Sequence, residues 1–234
     1  MGTLVTYRNE ESIATITMDD GKRNALSLAM FAELNAAFDR ARTENVPVIL
    51  TGRPETFSAG FDLKVLMAGG RAAAGMLIAG FRLSERMLGF PTPVVVACTG
   101  NAIAMGAFLV LSADYRIGTD GPYRIVANEV AIGLTMPSFG IEICRQRLAP
   151  AHFNRAVINS ESYAPEDAVV AGWLDRVVPA AELADAAHAK VVELAKLNPA
   201  AHAATKLRAR AAALEAIHHA IESDEAAFRT MFGT

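Results

Sequence analysis

A run of twenty residues without a charged side chain, at positions 94–113, is the feature that most constrains the fold. Its length matches the ~20 apolar residues that a helix needs to cross a bilayer. The first half, VVVAC, is β-branched and small and follows Pro91 and Pro93, which is typical of a buried strand. Thr99-Gly100-Asn101 then predicts a turn, and the second half has a helical composition. We therefore expect a buried strand, a turn and a buried helix, and no membrane span.

Periodic patterns on the N-terminal side of this run predict an α/β fold. Apolar and polar residues alternate over 13–18, as in a half-buried strand. Ser27 is a candidate N-cap for an amphipathic helix, and 46–51 has the composition of the next strand. Strand, helix and strand in this order form a βαβ unit. A further helical stretch is predicted from 61 to about 90.

The C-terminal part of the chain has a different composition. From about position 180 it is rich in alanine and helical, with a break at Asn198-Pro199. One apolar stripe in it consists of Leu183, Ala187, Val191 and Leu194. These helices have too few apolar residues to form a core of their own. We therefore interpret 1–179 as the core domain, and 180–234 as a helical region that packs on this core or on a neighbouring subunit.

Charge and cysteine content exclude several classes of function. The net charge is −3 and no block of like charge could follow a phosphate backbone, which argues against nucleic acid as a partner. Cys98 and Cys144 are not spaced as metal ligands or as a disulfide framework, so we expect no metal site and a reducing, cytoplasmic location. The N-terminus has the pattern of neither a secretory signal nor an acylation site.

Two junctions rich in small residues, 57–63 and 99–107, are the candidate sites of chemistry. Glycine-rich nucleotide loops, nucleophile elbows and HExxH motifs do not occur in the sequence, and four of the five histidines lie in the polar helical tail. Each junction follows a predicted strand and opens a predicted helix, so its first backbone N–H groups have no partner within the helix. If the two junctions meet, they form an oxyanion hole. The alternative for each is tight packing of strand against helix.

The residues of these junctions resemble a known family. TFSAGFDLK, PTPVVVACTGNAIAMGAFLVLSADYRI and NEVAIGLTMP follow one another in the order and spacing of the enoyl-CoA hydratase/isomerase (crotonase) superfamily. The resemblance extends from the strand at 13–18 to position 179. It implies a crotonase-like spiral of ββα units with C-terminal helices that mediate trimerisation, as a homotrimer or a dimer of trimers. It also implies an acyl-CoA thioester substrate and no cofactor apart from the coenzyme A of that substrate.

The resemblance also assigns roles to individual positions. The two N–H donors of the family's oxyanion hole fall on Phe61 and Met105. The positions that contact CoA fall on the turn Lys22, Arg23, Asn24 and Ala25, and on the loop Ala59, Gly60, Phe61, Asp62 and Leu63. Within this loop, we expect Asp62 to be a structural helix cap rather than a catalyst.

The acid and base of the resembled family are only partly present. Its hydratases hold water between two glutamates, of which the second falls on Glu129 and the first on Phe108. Met105 and Asn128 replace a glycine and a proline of the family, and we expect the side chain of Met105 to narrow or reshape the acyl pocket. Pro137 stands where the dehalogenase branch has its nucleophilic aspartate, which excludes that branch.

A single glutamate favours moving a double bond over adding water. We therefore predict an enoyl-CoA hydratase or isomerase with Glu129 as acid and base, with isomerisation somewhat favoured. The alternatives are a non-catalytic acyl-CoA binder and an acyl-CoA thioester hydrolase. Glu142, the other carboxylate that could reach the site, is expected to form a surface ion pair with Arg145 or Arg147.

Overall fold

The computed structural model describes residues 3–233 and has an α/β architecture with two sheets. The strands are β1 (Val5–Glu10), β2 (Ile13–Met18), β3 (Val48–Thr51), β4 (Glu55–Ser58), β5 (Val94–Cys98), β6 (Gly100–Ile103), β7 (Tyr115–Thr119), β8 (Ile125–Val126) and β9 (Arg176–Val178). The helices are α1 (Leu28–Glu44), α2 (Leu63–Ala68), α3 (Gly70–Leu88), α4 (Met105–Leu111), α5 (Ser138–Arg147), α6 (Pro150–Val157), α7 (Pro165–Ala171), α8 (Leu183–Ala195), α9 (Pro199–Ala209) and α10 (Ala211–Phe232). None of the helices within 3–233 is both long and apolar enough to cross a membrane.

The larger sheet has six strands in the order β1-β2-β3-β5-β7-β9. The pair β1-β2 is antiparallel and the other pairs are parallel. In β5, Val94 and Val96 face the main core, whereas Val95 and Ala97 face a second cluster under α8. Helices therefore cover both faces of the sheet, which explains why this strand is apolar at every position. The predicted strand at 94–99 is confirmed.

The smaller sheet, with parallel strands in the order β4-β6-β8, was not predicted. The expected turn at Thr99-Gly100-Asn101 is wrong, because β6 begins at Gly100 and the chain passes directly from one sheet to the other. Gly100 has a φ of 155°, and a Cβ atom there would lie 2.2 Å from the backbone of Glu55. This glycine permits the close approach of two strands rather than a tight turn.

The helical predictions differ from the structure mainly at glycines. Ser27 caps α1 as predicted, and its Oγ accepts a hydrogen bond from the N–H of Met30 at 3.2 Å. The stretch predicted from 61 to about 90 is two helices, because Gly69 with a φ of 67° ends α2 before α3 begins.

The C-terminal helices pack on the rest of the same chain. The stripe of α8 covers one face of the larger sheet. On α10, Ile217, Ile221 and Phe228 enter the main core between α3 and α5. Between these two helices, α9 has one buried side chain, Lys206, whose Nζ lies 2.6 Å from a carboxylate oxygen of Asp114. Two of the three tail helices therefore bury their apolar faces within the chain.

Candidate active site

The two glycine-containing junctions lie side by side. Strands β4 and β6 pair in parallel, so the loops that follow them leave the same edge of the small sheet. A Cβ atom on Gly60 would lie 2.9 Å from the carbonyl oxygen of Ile103, and one on Gly106 would lie 2.8 Å from the Cβ of Ser58. Gly60 also has a φ of 86°. Glycine is required at both positions because each junction passes so close to the other.

Backbone N–H groups are free at the two predicted positions. Leu26 N–H donates to Gly60 O at 2.8 Å, and Asp62 N–H donates to Leu26 O at 3.3 Å. Both sequence neighbours of Phe61 are therefore hydrogen-bonded to Leu26, and Phe61 itself is not. Met105 is the first residue of α4, where an N–H has no partner within the helix. In the hydrogen-bond network of residues 3–233, neither Phe61 N–H nor Met105 N–H donates to the protein. Both donors are available to a ligand.

The turn at 20–26 is held against the same loop. Ala59 N–H donates to Arg23 O at 2.9 Å, and Ser58 Oγ donates to Asn24 O at 2.7 Å. The amide of Asn24, fully buried, donates to Phe57 O at 3.1 Å. The structure therefore brings together the two segments predicted to contact CoA. No separate role is predicted for Asn24 from the sequence, although an asparagine that closely follows Asp-Gly is a turn signal. Its φ of 51° in the structure agrees with that signal.

A carboxylate organises this turn from within. Asp20 accepts hydrogen bonds from the N–H groups of Lys22, Asn24 and Ala25 at 2.7 to 2.9 Å. Burial alone would raise the pKa of Asp20, but these donors hold that pKa below its ordinary value. The side chains of Lys22 and Arg23 are exposed, and within the described chain neither forms an ion pair. Two exposed cations without an ion-pair partner in the described chain thus belong to the turn that contacts the loop beginning at Ala59.

A cavity of about 360 Å³ opens beside the two junctions. Its polar lining side chains are Asn128, Glu129 and Thr135, which all belong to the segment between β8 and α5. The other lining residues are Ala59, Phe61, Leu63, Leu66, Leu77, Phe81, Ala104, Phe108, Ile132, Gly133, Leu134, Pro137, Phe228, Met231 and Phe232. The cavity is therefore an apolar chamber with one polar region.

Glu129 is the one carboxylate among the described residues that line the cavity. Its side chain is buried, and its Oε2 has no hydrogen-bond partner in the protein. Burial raises the pKa of Glu129 to about 7, and no cation stands close enough to offset this effect. Near neutral pH both the carboxylate and the carboxylic acid are populated, so this group can accept a proton and return it.

Phe108 and Met105 occupy two of the three positions at which the sequence departs from the resembled family. Phe108 lines the cavity and meets Phe139 edge-on, with ring centroids 5.8 Å apart. The expectation that the Met105 side chain narrows the acyl pocket is wrong. That side chain is fully buried in the main core and does not line the cavity, so Met105 presents only its backbone there.

Two carboxylates near the site have structural contacts. Asp62 is the N-cap of α2, and its Oδ1 accepts from Lys64 N–H at 2.9 Å, as the sequence predicts. Glu142 lies 3.3 Å from Arg145 at the surface, which confirms the predicted ion pair. The metal-binding residue types form no cluster within residues 3–233.

The wall formed by α10 was not found from the sequence. Phe228, Met231 and Phe232 line the cavity, although their helix lies about a hundred residues after Glu129. Asp224 fixes this helix at the site, because its carboxylate accepts from the N–H groups of Ser138 and Phe139 at 2.9 and 2.8 Å. A carboxylate at the N-terminus of α5 is favourable for the helix dipole. An acidic residue inside a predicted helix gives no indication of such a partner.

Comparisons with known proteins agree on one family. The family model described as enoyl-CoA hydratase/isomerase matches residues 8–234. Carnitinyl-CoA dehydratase of Escherichia coli K12 is 31% identical over 198 residues, which cover 83% of this chain and 76% of the relative.

Solved structures of similar fold cover nearly the whole chain. An enoyl-CoA hydratase/isomerase family protein from Pseudomonas syringae is 47% identical, with a TM-score of 0.93 over 95% of this chain and 96% of the other. The enoyl-CoA isomerase of Mycobacterium tuberculosis is 45% identical, with a TM-score of 0.93 over 97% and 99% of the two chains. Human mitochondrial delta3-delta2-enoyl-CoA isomerase is 26% identical, with a TM-score of 0.91 over 98% and 92%.

Proposed function

The chain belongs to the enoyl-CoA hydratase/isomerase family, and from this premise we propose that it moves the double bond of a 3-enoyl-CoA thioester to the 2-position. The observation that carries the proposal is the single carboxylate among the described residues that line the cavity. Glu129 is buried, has an unpartnered oxygen, and has its pKa raised to about 7. One such group can serve both as base and as acid.

The proposed reaction is a proton transfer between two carbons of the acyl chain. The Glu129 carboxylate removes a proton from C2, and the electron pair spreads over the double bond and the thioester carbonyl as a dienolate. The N–H groups of Phe61 and Met105 would stabilise the negative oxygen, and one such donor is typically worth ~2.7–4 kcal/mol. The protonated Glu129 then delivers the same proton to C4, which leaves the double bond between C2 and C3.

Phe108 favours isomerisation over hydration in this proposal. Addition of water to a 2-enoyl-CoA needs a water molecule held and deprotonated beside C3. An aromatic ring at position 108 supplies no hydrogen-bond acceptor, so Glu129 would be the one carboxylate available to that water. One of the similar structures, from human mitochondria, is of a protein named as an isomerase, which supports the same direction.

The pantetheine and phosphates of CoA are proposed to follow the paired segments at the cavity edge. Lys22 and Arg23 would meet the phosphates, because both are exposed and neither forms an ion pair within the described chain. Ala25 and the loop from Ala59 to Leu63 would lie against the pantetheine, because this loop passes close to the turn and lines the cavity. Two cations suit a ligand with several phosphate groups.

Incubation with 3-enoyl-CoA and with 2-enoyl-CoA tests the function directly. We expect the 3-enoyl substrate to gain the ultraviolet absorbance of a conjugated thioester without a change in mass. Glu129→Gln should lower this turnover by ~10²–10⁴ while the acyl-CoA still binds. A gain of the mass of water would identify a hydratase, and release of free CoA would identify a thioester hydrolase. Binding without any conversion would identify a non-catalytic acyl-CoA binder.

The proposed assembly is a trimer or a pair of trimers, with 180–234 as the region that contributes to it. Because α8 and α10 bury their stripes within the chain, α9 with its exposed Leu207 is the tail helix left to contact a partner. Light scattering should report three copies or a multiple of three. A uniform monomer at micromolar concentration would exclude this assembly.

A cytoplasmic location is proposed from the cysteines. Cys98 and Cys144 are both buried and free rather than joined in a disulfide. Unpaired thiols are typical of proteins that work in a reducing compartment.

A further inference from the structure

We propose that the substrate of this site carries a linear, uncharged alkyl chain of eight or more carbons, held between α2, α3 and α10. This inference rests on the proposed function, because it takes the cavity beside Glu129 as the acyl site. It adds the chemical class of the acyl group, which neither the family nor the catalytic carboxylate specifies.

The distribution of polar groups in the cavity supports an alkyl occupant. All three polar lining side chains lie between positions 128 and 135. The walls from the three helices are formed by Leu63 and Leu66 on α2, by Leu77 and Phe81 on α3, and by the end of α10. An alkyl chain that extends from the reacting carbons toward these helices therefore meets only carbon and sulfur atoms of side chains. Burial of its methylene groups against them is favourable.

The cavity is too large for a short acyl group alone. A cavity of about 360 Å³ lies in the ~300–1,000 Å³ range of pockets that bury most of a drug-sized ligand. A four-carbon acyl group is much smaller than such a ligand, and an unfilled apolar cavity loses dispersion contacts along its lining. An alkyl chain of eight or more carbons comes closer to the size of such a ligand.

Exposed apolar side chains continue the cavity wall to the surface. Leu63, Ile132, Leu134 and Met231 line the cavity and are nevertheless 60, 51, 41 and 70% exposed. Large apolar side chains grouped at the mouth of a cleft are typical of a ligand-binding groove. We name these four residues the apolar rim, and we expect the far end of the alkyl chain to cover part of it.

A cationic acyl group would have no counter-charge in this cavity. A carnitinyl group carries a quaternary ammonium, and among the described lining residues Glu129 is the one carboxylate. Pairing that carboxylate with a cation would withdraw it from the role of base. We therefore expect the acyl group to differ from that of the carnitinyl-CoA relative.

Saturated thioesters test this inference separately from catalysis, because they cannot react. Calorimetry with butyryl-, hexanoyl-, octanoyl- and decanoyl-CoA should show affinity rising with length, by up to about fourfold per methylene. We expect at least a tenfold gain from butyryl- to octanoyl-CoA. Equal affinities across the series, or carnitinyl-CoA binding more tightly than octanoyl-CoA, would overturn the inference. An enzyme that binds in this length-dependent way but converts no enoyl-CoA would instead contradict the proposed function alone.

Two neighbouring positions on α2 provide a matched pair of variants. Leu66 lines the cavity, whereas Met67 is 83% exposed and does not line it. Leu66→Trp should lower the ratio of decanoyl- to butyryl-CoA affinity at least tenfold, and Met67→Trp should leave this ratio unchanged. Should Leu66→Trp unfold, Met231→Ala removes a rim side chain without touching the core, and we expect a threefold or greater fall in the same ratio. If Leu66→Trp, or Met231→Ala in its place, leaves the affinity ratio unchanged as Met67→Trp does, the alkyl chain does not lie between these helices.

Discussion

Replacing Glu129 by glutamine should stabilise the protein at alkaline pH while it removes the proposed activity. In the folded protein, burial raises the pKa of Glu129 from 4.5 to about 7. Between these two values the folded state holds a proton that the unfolded state has lost. Stability therefore falls as pH rises through this window, because the unfolded state binds fewer protons. Glutamine carries no charge at any of these pH values, so the variant escapes this loss.

The size of the effect follows from the two pKa values. For a single group with pKa 4.5 unfolded and about 7 folded, the loss is about 1 kcal/mol at pH 5 and about 3 kcal/mol at pH 8. The advantage of Glu129→Gln over the natural protein should therefore grow by about 2.5 kcal/mol between these conditions. Any cost of burying the new amide is independent of pH and cancels in this difference.

Urea unfolding of both proteins at pH 5 and pH 8 measures the effect. Glu142→Gln is a suitable control, because Glu142 pairs with Arg145 at the surface and such pairs contribute ~0–1 kcal/mol. We expect the control to show no growing advantage with pH. A difference between Glu129→Gln and the natural protein that stays constant from pH 5 to pH 8 would refute the argument that Glu129 is desolvated in the folded state.

Further variants test the other parts of the site. The double variant Lys22→Ala, Arg23→Ala should weaken CoA binding in calorimetry and reduce its dependence on ionic strength, since two exposed cations are lost; unchanged affinity would contradict the placement of the phosphates. Phe108→Glu should raise hydration of 2-enoyl-CoA relative to isomerisation once a melting curve shows that it folds, and an unchanged ratio would remove Phe108 as the determinant. The kcat/KM for isomerisation should fall about tenfold for each pH unit below about 7, as Glu129 gains its proton; a flat profile from pH 5 to pH 8 would exclude Glu129 as the base.

Features determined by local sequence were predicted well. The apolar run at 94–98 forms a strand buried on both faces, Ser27 caps its helix, and Asp62 caps the next one. Each depends on interactions within about four residues or on simple burial, for which periodicity and side-chain chemistry suffice. The positions of the two glycine-containing junctions were also found, because a strand, a glycine and a helix in sequence leave backbone donors free.

Features determined by close approach of distant segments were not predicted. Gly100 was interpreted as part of a turn because its sequence neighbours are threonine and asparagine, yet its conformation is fixed by contact with Glu55 on another strand. The resemblance predicts a side chain of Met105 in the pocket, because a glycine is usual at this position of the family. In the structure, the direction of α4 sends that side chain into the core and leaves its N–H at the junction.

The position of α10 shows most clearly why the sequence could not define the whole cavity. Its periodicity indicates an amphipathic helix, and this pattern is equally compatible with burial in the chain or against another subunit. In the structure, α10 packs within the chain through its apolar face and through Asp224, whose carboxylate accepts from two N–H groups about 85 residues earlier in the chain. Phe228 follows one turn later and enters the core beside Phe81, at a ring distance of 6.2 Å. With the helix held by these contacts, Met231 lines the cavity, so the proposed acyl site is completed by α10.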